Sequence, residues 1–185
     1  MVISKTVAFR GISDCKIAAI TADTPTGLTY GSLVDVPIAT LTLTEVRDNH
    51  ELKHDDRVQD IDSVLQSADI SGTIARVPLE ILEILTGGSI TASGTGANEK
   101  QTFDLDSTDN SGYFKLEVVS ARAHADAGDV GDIHIQYKKC KLFGDLQYNL
   151  EEGYATISFT AKAIKTIYDN EIKNIVFNKT AAAIS

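Results

Sequence analysis

The sequence is poor in aromatic residues: it contains 6 Tyr, 6 Phe and no Trp among 185 residues. A folded core must therefore be built mainly from aliphatic side chains. Hydrophobic residues make up 43% of the chain, which is enough for such a core. Because the length is ordinary and the composition shows no break, we expect a single domain over residues 1–185.

Basic residues are also scarce, since 17 Lys and Arg stand against 26 Asp and Glu and the net charge is −9. Such a balance argues against a protein that grips nucleic acid through its phosphates. It is compatible with a surface past which nucleic acid moves without adhering, because like charges repel.

The chain has only two cysteines, Cys15 and Cys140, and they are far apart in sequence. We interpret them as small apolar residues in a reducing compartment, and the spacing leaves a disulfide open. Residues 1–5 lack the apolar run of a signal peptide, and no apolar stretch has membrane-spanning length. We therefore expect the protein to be made and kept in the cytoplasm until it assembles.

A long polar stretch, residues 45–66, lies between two segments of alternating apolar and hydroxyl residues at 37–44 and 68–77. The alternation predicts two strands with one buried face each. The stretch contains three bases and seven acids, namely Glu45, Asp48, Glu51, Asp55, Asp56, Asp60 and Asp62. It cannot bury a core of its own, yet it has no Pro. We predict a hairpin arm that packs outside its own subunit, so self-assembly is the first hypothesis.

Most of the remaining chain reads as short strands, with one helix over residues 78–86. Pro78 suits the first turn of that helix, and Gly87 and Gly88 supply its stop. The apolar residues within it form one wide face toward a sheet. We predict a mainly β fold, a β-sandwich or barrel with one short flanking helix. Residues 145–153 are expected to be a connection, and residues 180–185 to fray.

Residues 50–54 read HELKH and match the zinc-protease pattern, with His50 and His54 as ligands and Glu51 as the base. Asp60 lies at the spacing of a third ligand. Against this interpretation, the flanks offer almost no apolar face for a helix, Arg57 stands where the longer motif needs Gly, and the only Met is Met1. Other catalytic motifs are missing. We expect no enzyme activity and no catalytic, cofactor-binding or metal-binding residues; a zinc hydrolase and a monomeric β-sandwich binding module are the alternatives.

Four segments carry a resemblance that spans most of the chain. They are residues 24–31 (TPTGLTYG), the polar arm after residue 39, residues 70–88 (ISGTIARVPLEILEILTGG), and residues 137–144 with 152–163 (YKKCKLFG and EGYATISFTAKA). Their order and spacing resemble the major tail tube proteins of long-tailed bacteriophages. A similar fold serves contractile tails, type VI secretion tubes and tail-like bacteriocins, so a tube protein of a related contractile injection system or of a tail-like bacteriocin is a further alternative.

The resemblance implies a structural virion protein whose six-subunit rings stack into a tube for genome DNA. The implied partners are other copies of the chain and the tail tip or baseplate, tape measure and tail terminator proteins, with DNA passing through the lumen without specific binding. Assembly would take place in the host cytoplasm. Residues 37–44 and 68–77 would supply wall strands. The seven acids of the arm are candidates for contact with a neighbouring subunit or for facing the lumen, and the alternative is that all of them solvate the outer surface.

Overall fold

The computed structural model describes residues 8–55, 57–123, 131–150, 152 and 155–184. Within them the chain is mainly β, with one short α-helix and a single 3₁₀ turn at Gly96–Asn98. The elements in chain order are β1 (Ala8–Thr24), β2 (Gly27–Tyr30), β3 (Val34–Asp35), β4 (Ile38–His54), β5 (Arg57–Ile74), α1 (Leu79–Thr86), β6 (Ser89–Ser93), β7 (Lys100–Asp104), β8 (Phe114–Ala123), β9 (Asp132–Asn149), β10 (Thr156–Ala163) and β11 (Lys173–Phe177).

Nine of these strands form one antiparallel sheet in the order β2-β1-β8-β9-β10-β5-β4, with β3 added to β1 and β11 added to β9. Strands β6 and β7 form a separate hairpin. The predicted mainly β fold with one short helix is confirmed. Of the two predicted arrangements the barrel is not formed, because β2 and β4 do not meet across the described residues.

Helix α1 begins and ends where the sequence predicts within one residue. Gly87 adopts a left-handed conformation (φ 84°) and donates its N–H to the Glu83 carbonyl at 2.8 Å. A Cβ at Gly87 would lie 2.5 Å from the Asn110 carbonyl oxygen, so a larger residue is strained there. Ile81 and Leu85 enter the same core cluster as side chains of β1, β5, β8, β9 and β10. The helix therefore covers the inner face of the sheet.

Two local predictions are wrong. Strand β9 continues to Asn149 through the segment 145–149 that was expected to be a connection, and it is bent at Gly144 (φ 117°). The C-terminal segment does not fray over residues 180–184. Ala182 donates its N–H to Asp132 Oδ2 at 2.8 Å, and Ile184 is buried. Among the short strands that the sequence predicts, the first covers residues 2–9, and of these only residues 8 and 9 lie within the described part of the chain.

The face of β8 and β9 opposite the aliphatic core carries a buried ionic cluster of Lys115, Glu117, Asp132 and His134. His134 Nδ1 lies 2.7 Å from Glu117 Oε1, and His134 Nε2 lies 3.2 Å from Asp132 Oδ2. Lys115 Nζ lies 2.8 Å from Glu117 Oε2. Two cations and two carboxylates balance, which is how buried charges are tolerated.

The ionic cluster shifts the pKa of its members toward their charged forms. Burial lowers the pKa of His134, but its hydrogen bond to Glu117 and the nearby carboxylate of Asp132 outweigh burial and raise the pKa above its usual value. Burial likewise opposes ionisation of Glu117, yet hydrogen bonds from Lys115 and other neighbours hold the pKa of that carboxyl below its usual value. The pKa of Asp132 is lowered for the same reason, with Ala182 and Asn178 as donors.

We predict that the free energy of unfolding falls as pH rises above about 6.5, the ordinary pKa of histidine. A raised folded-state pKa means that the contribution of His134 is complete below that value and is lost as pH rises through the folded-state pKa. The contributions of Glu117 and Asp132 are instead lost as pH falls through their lowered pKa values. Denaturant unfolding from about pH 2 to about pH 9 measures both limbs.

The His134→Gln variant should be less stable by roughly 1–3 kcal/mol near neutral pH, the usual cost of a buried polar group that loses a partner, because Glu117 keeps Lys115 and Asp132 keeps Asn178 and Ala182. It should also lack the alkaline limb. The exposed His50→Gln serves as the matched control and should keep it. An unchanged alkaline limb in His134→Gln would show that another group causes it.

Candidate functional site

Strands β4 and β5 extend beyond the body of the sheet as a two-stranded hairpin. The two strands pair in antiparallel fashion from Glu45, opposite Ala68, to His54, opposite Arg57, with two bulges along the way. Asp55 stands at the turn with φ 51°. From residue 47 to residue 64 every described side chain is exposed. The arm that the sequence predicts at 45–66 is thus an extended ribbon.

One face of the arm is acidic. Residues paired directly across an antiparallel ladder share a face, and neighbours along a strand alternate. Asp62 opposes His50, Asp60 opposes Leu52, and Val64 opposes Asp48. Asp48 Oδ2 lies 3.3 Å from His50 Nε2. We call this the acidic face; it carries Asp48, His50, Leu52, Asp60, Asp62 and Val64, with the pair of positions 54 and 57 at its tip.

The opposite face combines paired charges with aliphatic side chains. Val58 opposes Lys53, Ile61 opposes Glu51, and Leu65 opposes Arg47. Lys53 Nζ lies 3.2 Å from Glu51 Oε2, so this acid has a cation beside it. We call this the mixed face; it carries Arg47, Glu51, Lys53, Val58, Ile61 and Leu65. Two bulges, at Val46/Arg47 and Leu52/Lys53, fix this assignment.

The seven acids singled out by sequence therefore have different surroundings. Glu45 is held by Arg47 and Lys173, and hydrogen bonds from Lys173 and then Arg47 lower its pKa. Asp60 accepts the N–H of Ile61 at 2.8 Å. Glu51 lies on the mixed face, whereas Asp48, Asp60 and Asp62 share the acidic face. Asp55 occupies the turn, and Asp56 lies outside the described residues.

The zinc-protease pattern falls in this arm and not on a helix. Residues 50–54 belong to β4, where positions four apart are separated by about 13 Å. Glu51 lies on the mixed face and His50 on the acidic face. The helical geometry that brings two His and one Glu to a metal is absent from the described backbone. No group of three His, Cys, Asp or Glu able to hold a metal occurs among the described residues.

A second feature is a polar wall on the body. Residues 141–149 of β9, β10, residues 68–74 of β5 and residues 38–46 of β4 form a four-stranded section of the sheet. Its outward side chains make three cross-strand rows. They are Thr40, Thr73, Ser158 and Gln147; Thr42, Ser71 and Thr160; and Thr44, Asp69, Lys162 and Lys141. We call this surface the hydroxyl face.

The last row of the hydroxyl face carries one acid and two bases. Asp69 Oδ1 lies 3.3 Å from Lys162 Nζ and offsets that lysine, whereas Lys141 Nζ lies 5.2 Å from the centre of the Tyr113 ring. Asn149 donates an amide N–H to Ser158 Oγ at 3.1 Å. The opposite face of the same strands enters the core through Ile70, Phe159 and their neighbours. Strict alternation therefore produces a dry side and a hydroxyl side.

Both outer edges of the four-stranded section are unpaired within the described chain. Strand β4 pairs only with β5, and β8 stops opposite Cys140 and leaves residues 141–149 of β9 paired only with β10. Unpaired strand edges are templates for another chain. The sequence reasoning missed the β9 edge, because the bulge at Gly144 interrupts the alternation that would have revealed a strand.

No protein-family model matches the chain, and no curated protein matches it. None of the described helices has the length and apolar character needed to cross a bilayer.

We predict that zinc does not stabilise this protein through residues 50–54. Equimolar Zn²⁺ should leave the thermal unfolding midpoint unchanged, because the two His positions lie too far apart in β4 to share one ion. The His54→Ala variant should bind as much zinc as the parent in equilibrium dialysis. Stoichiometric zinc that is lost in this variant would instead support the hydrolase alternative.

Proposed function

We propose that this protein is a structural, self-assembling tail tube protein without catalytic activity. The observation that carries the proposal is the four-stranded section with two unpaired edges and one hydroxyl face. Copies would join edge to edge into hexameric rings, and rings would stack into the virion tail tube in the host cytoplasm. The tube would be the conduit for genome ejection.

The two unpaired edges, on β4 and β9, are compatible in strand direction and in length. Because β9, β10, β5 and β4 alternate in direction, β4 runs antiparallel to β9 in the same copy. Rotation about a ring axis preserves strand direction, so β4 of one copy would meet β9 of the next in antiparallel pairing. The available segments, 38–46 and 141–149, are equally long. Such pairing would satisfy the main-chain groups that the single copy leaves to water.

The hydroxyl face suits the lining of a DNA channel. DNA is held chiefly through phosphate contacts with Lys and Arg. The two rows of Thr, Ser and Gln carry no charge, and in the last row Asp69 offsets one of the two lysines, so the face offers phosphate little net positive charge. At about 4.8 Å between strands, six copies of a four-stranded section would close a wall roughly 115 Å around. Strand tilt would widen that wall further.

The arm would then link rings. It extends beyond the body by about 25 Å, judged from eight residues at the usual strand rise. An isolated two-stranded ribbon is marginally stable in water. Its exposed Leu52, Val58, Ile61 and Val64 provide apolar area for a neighbouring copy. At the ends of the tube the same surfaces would meet the tail tip or baseplate, tape measure and tail terminator proteins that the resemblance implies.

We predict that the concentrated protein forms rings or tubes in negative-stain micrographs, and that shortening the arm abolishes stacking without unfolding the body. Arg47 and Leu65 are directly paired, so an Asn-Gly turn can replace residues 48–64 and close the hairpin. Circular dichroism should stay that of a β protein, and analytical ultracentrifugation should lose the long polymers.

A matched control shortens the β6–β7 hairpin, where Ser93 and Lys100 are directly paired, by the same turn in place of residues 94–99. This control should still polymerise. Polymers of normal length from the arm-shortened chain would contradict the role of the arm. A parent protein that stays monomeric at every concentration would contradict the proposed function.

We further predict that lysines on the hydroxyl face make tubes retain duplex DNA. In the double variant Thr42→Lys and Thr160→Lys, the new charges flank Ser71 in one row. DNA retained on filter-trapped tubes should rise at low salt and fall as salt increases. The control, Thr21→Lys with Thr29→Lys, places two lysines on the exposed β1–β2 ribbon. Equal retention by both variants would show that the hydroxyl face does not line the channel.

A further inference from the structure

An apolar hollow of about 640 Å³ opens between α1 and the loops beside β1. Ile20, Leu33, Ile84 and Tyr113 lie on its wall. Leu33 and Tyr113 are each 38% exposed, so the hollow is open to water. Its volume falls within the range of roughly 300–1,000 Å³ typical of binding pockets. No residue of the arm lines it, so it is a separate surface of the described chain.

The rim of the hollow is acidic. Glu80 and Glu83 lie on α1 at its edge, and both are exposed. An apolar floor beside two carboxylates suits a partner that presents aliphatic side chains with a cation next to them.

The mixed face of the arm has that chemistry. Val58 and Ile61 are 47% and 63% exposed, and Val58 lies directly opposite Lys53. Arg47 lies on the same face nearer the body. The acid between the two bases, Glu51, already has Lys53 at 3.2 Å.

We propose that the mixed face of the arm of one copy docks in the hollow of another copy. The inference rests on the proposed self-assembly and names the receptor of the arm. Val58 and Ile61 enter the apolar floor, and Lys53 approaches Glu83. Because donor and receptor are different surfaces, the contact is heterologous, and such contacts propagate into rings or filaments.

Desolvation selects the mixed face over the acidic face. Docking removes water from one side of the ribbon, and a buried charge is costly without a partner. Glu51 keeps Lys53 when it is desolvated. The acidic face would bring Asp60 and Asp62 toward Glu80 and Glu83, which is a like-charge approach.

Cysteine cross-linking of the full chain tests the proposal. Cys15 and Cys140 are buried free cysteines, and burial raises the pKa of both thiols, so they react slowly. Two single variants, Ile61→Cys and Glu83→Cys, are mixed in equal amounts at polymerising concentration and oxidised. We expect a 61–83 disulfide between copies, identified by mass spectrometry of the cross-linked peptides.

Two controls match the test in exposure. Asp62→Cys carries the thiol on the acidic face one residue away, and Glu99→Cys carries it on an exposed turn outside the hollow. The 61–83 species should exceed the 62–83 and 61–99 species at least tenfold. Equal yields would overturn the docking.

The same samples are imaged, so the two proposals fail separately. Tubes without the selective 61–83 species would overturn the docking and leave the tube function standing. The selective species without tubes would support the docking and contradict the tube function.

A charge exchange provides an independent readout. Glu83→Lys should raise the concentration needed for polymerisation several-fold. Adding the second substitution, the exchange Lys53→Glu with Glu51→Lys that keeps an ion pair within the arm, should restore it. Failure of the second substitution to restore assembly would overturn the pairing of these two side chains. Glu99→Lys, outside the hollow, is expected to leave the critical concentration unchanged.

Discussion

Main-chain hydrogen bonding at the margins of one open sheet is the constraint on which the other features depend. Soluble proteins usually protect exposed strand edges with lysines, prolines or bulges. The edge of β4 over residues 38–46 has neither Lys nor Pro, and its side chains on the hydroxyl face include Thr40, Thr42 and Thr44. The edge of β9 is bent at Gly144 and carries Lys141 and Asp145. The β4 edge is thus largely unprotected, and the β9 edge is only partly protected. This favours pairing between the β4 edge of one copy and the β9 edge of another.

A chain with unpaired strand edges needs a body that keeps its fold before those edges are paired. The aliphatic core draws on five strands and α1, and the second face of β8 and β9 is closed by the ionic cluster. Asp132 connects that cluster to the C-terminal segment, since it accepts hydrogen bonds from Asn178 and Ala182. A Cβ at Gly131 would lie 1.8 Å from the Asn178 carbonyl oxygen, so the segment packs tightly at this point. Both faces of the central strands are consequently fixed within one chain, and the freedom to pair is left to the edges.

The sequence predicts those features that local chemistry determines. Pro78 and Gly87 define α1, and the alternation at 37–44 and 68–77 defines the strands that carry the arm. The strand register is not determined by local chemistry, because one bulge moves every later side chain to the other face. The bulges at Val46/Arg47 and Leu52/Lys53 have no sequence signature, so the division of the acids between two faces could not be foreseen. Lys115 and Glu117 also occupy positions that alternation assigns to water, and they are buried because residues distant in sequence cover them.

In the arm, the strand register decides on which face of the ribbon each charged residue lies. Its acids and bases look like one solvated stretch in sequence, yet the ladder sorts them into two surfaces of different desolvation cost. Glu45 and Glu51 each have a cation beside them, and Asp48, Asp60 and Asp62 have no Lys or Arg within ion-pair distance among the described residues. Removing water from the mixed face leaves its carboxylates beside a Lys or Arg. Removing it from the acidic face would leave three aspartates without a Lys or Arg partner. An arm built in this way has one side that can be buried and one that must stay wet. A ribbon with that asymmetry can fix the orientation of a neighbouring copy as well as its position.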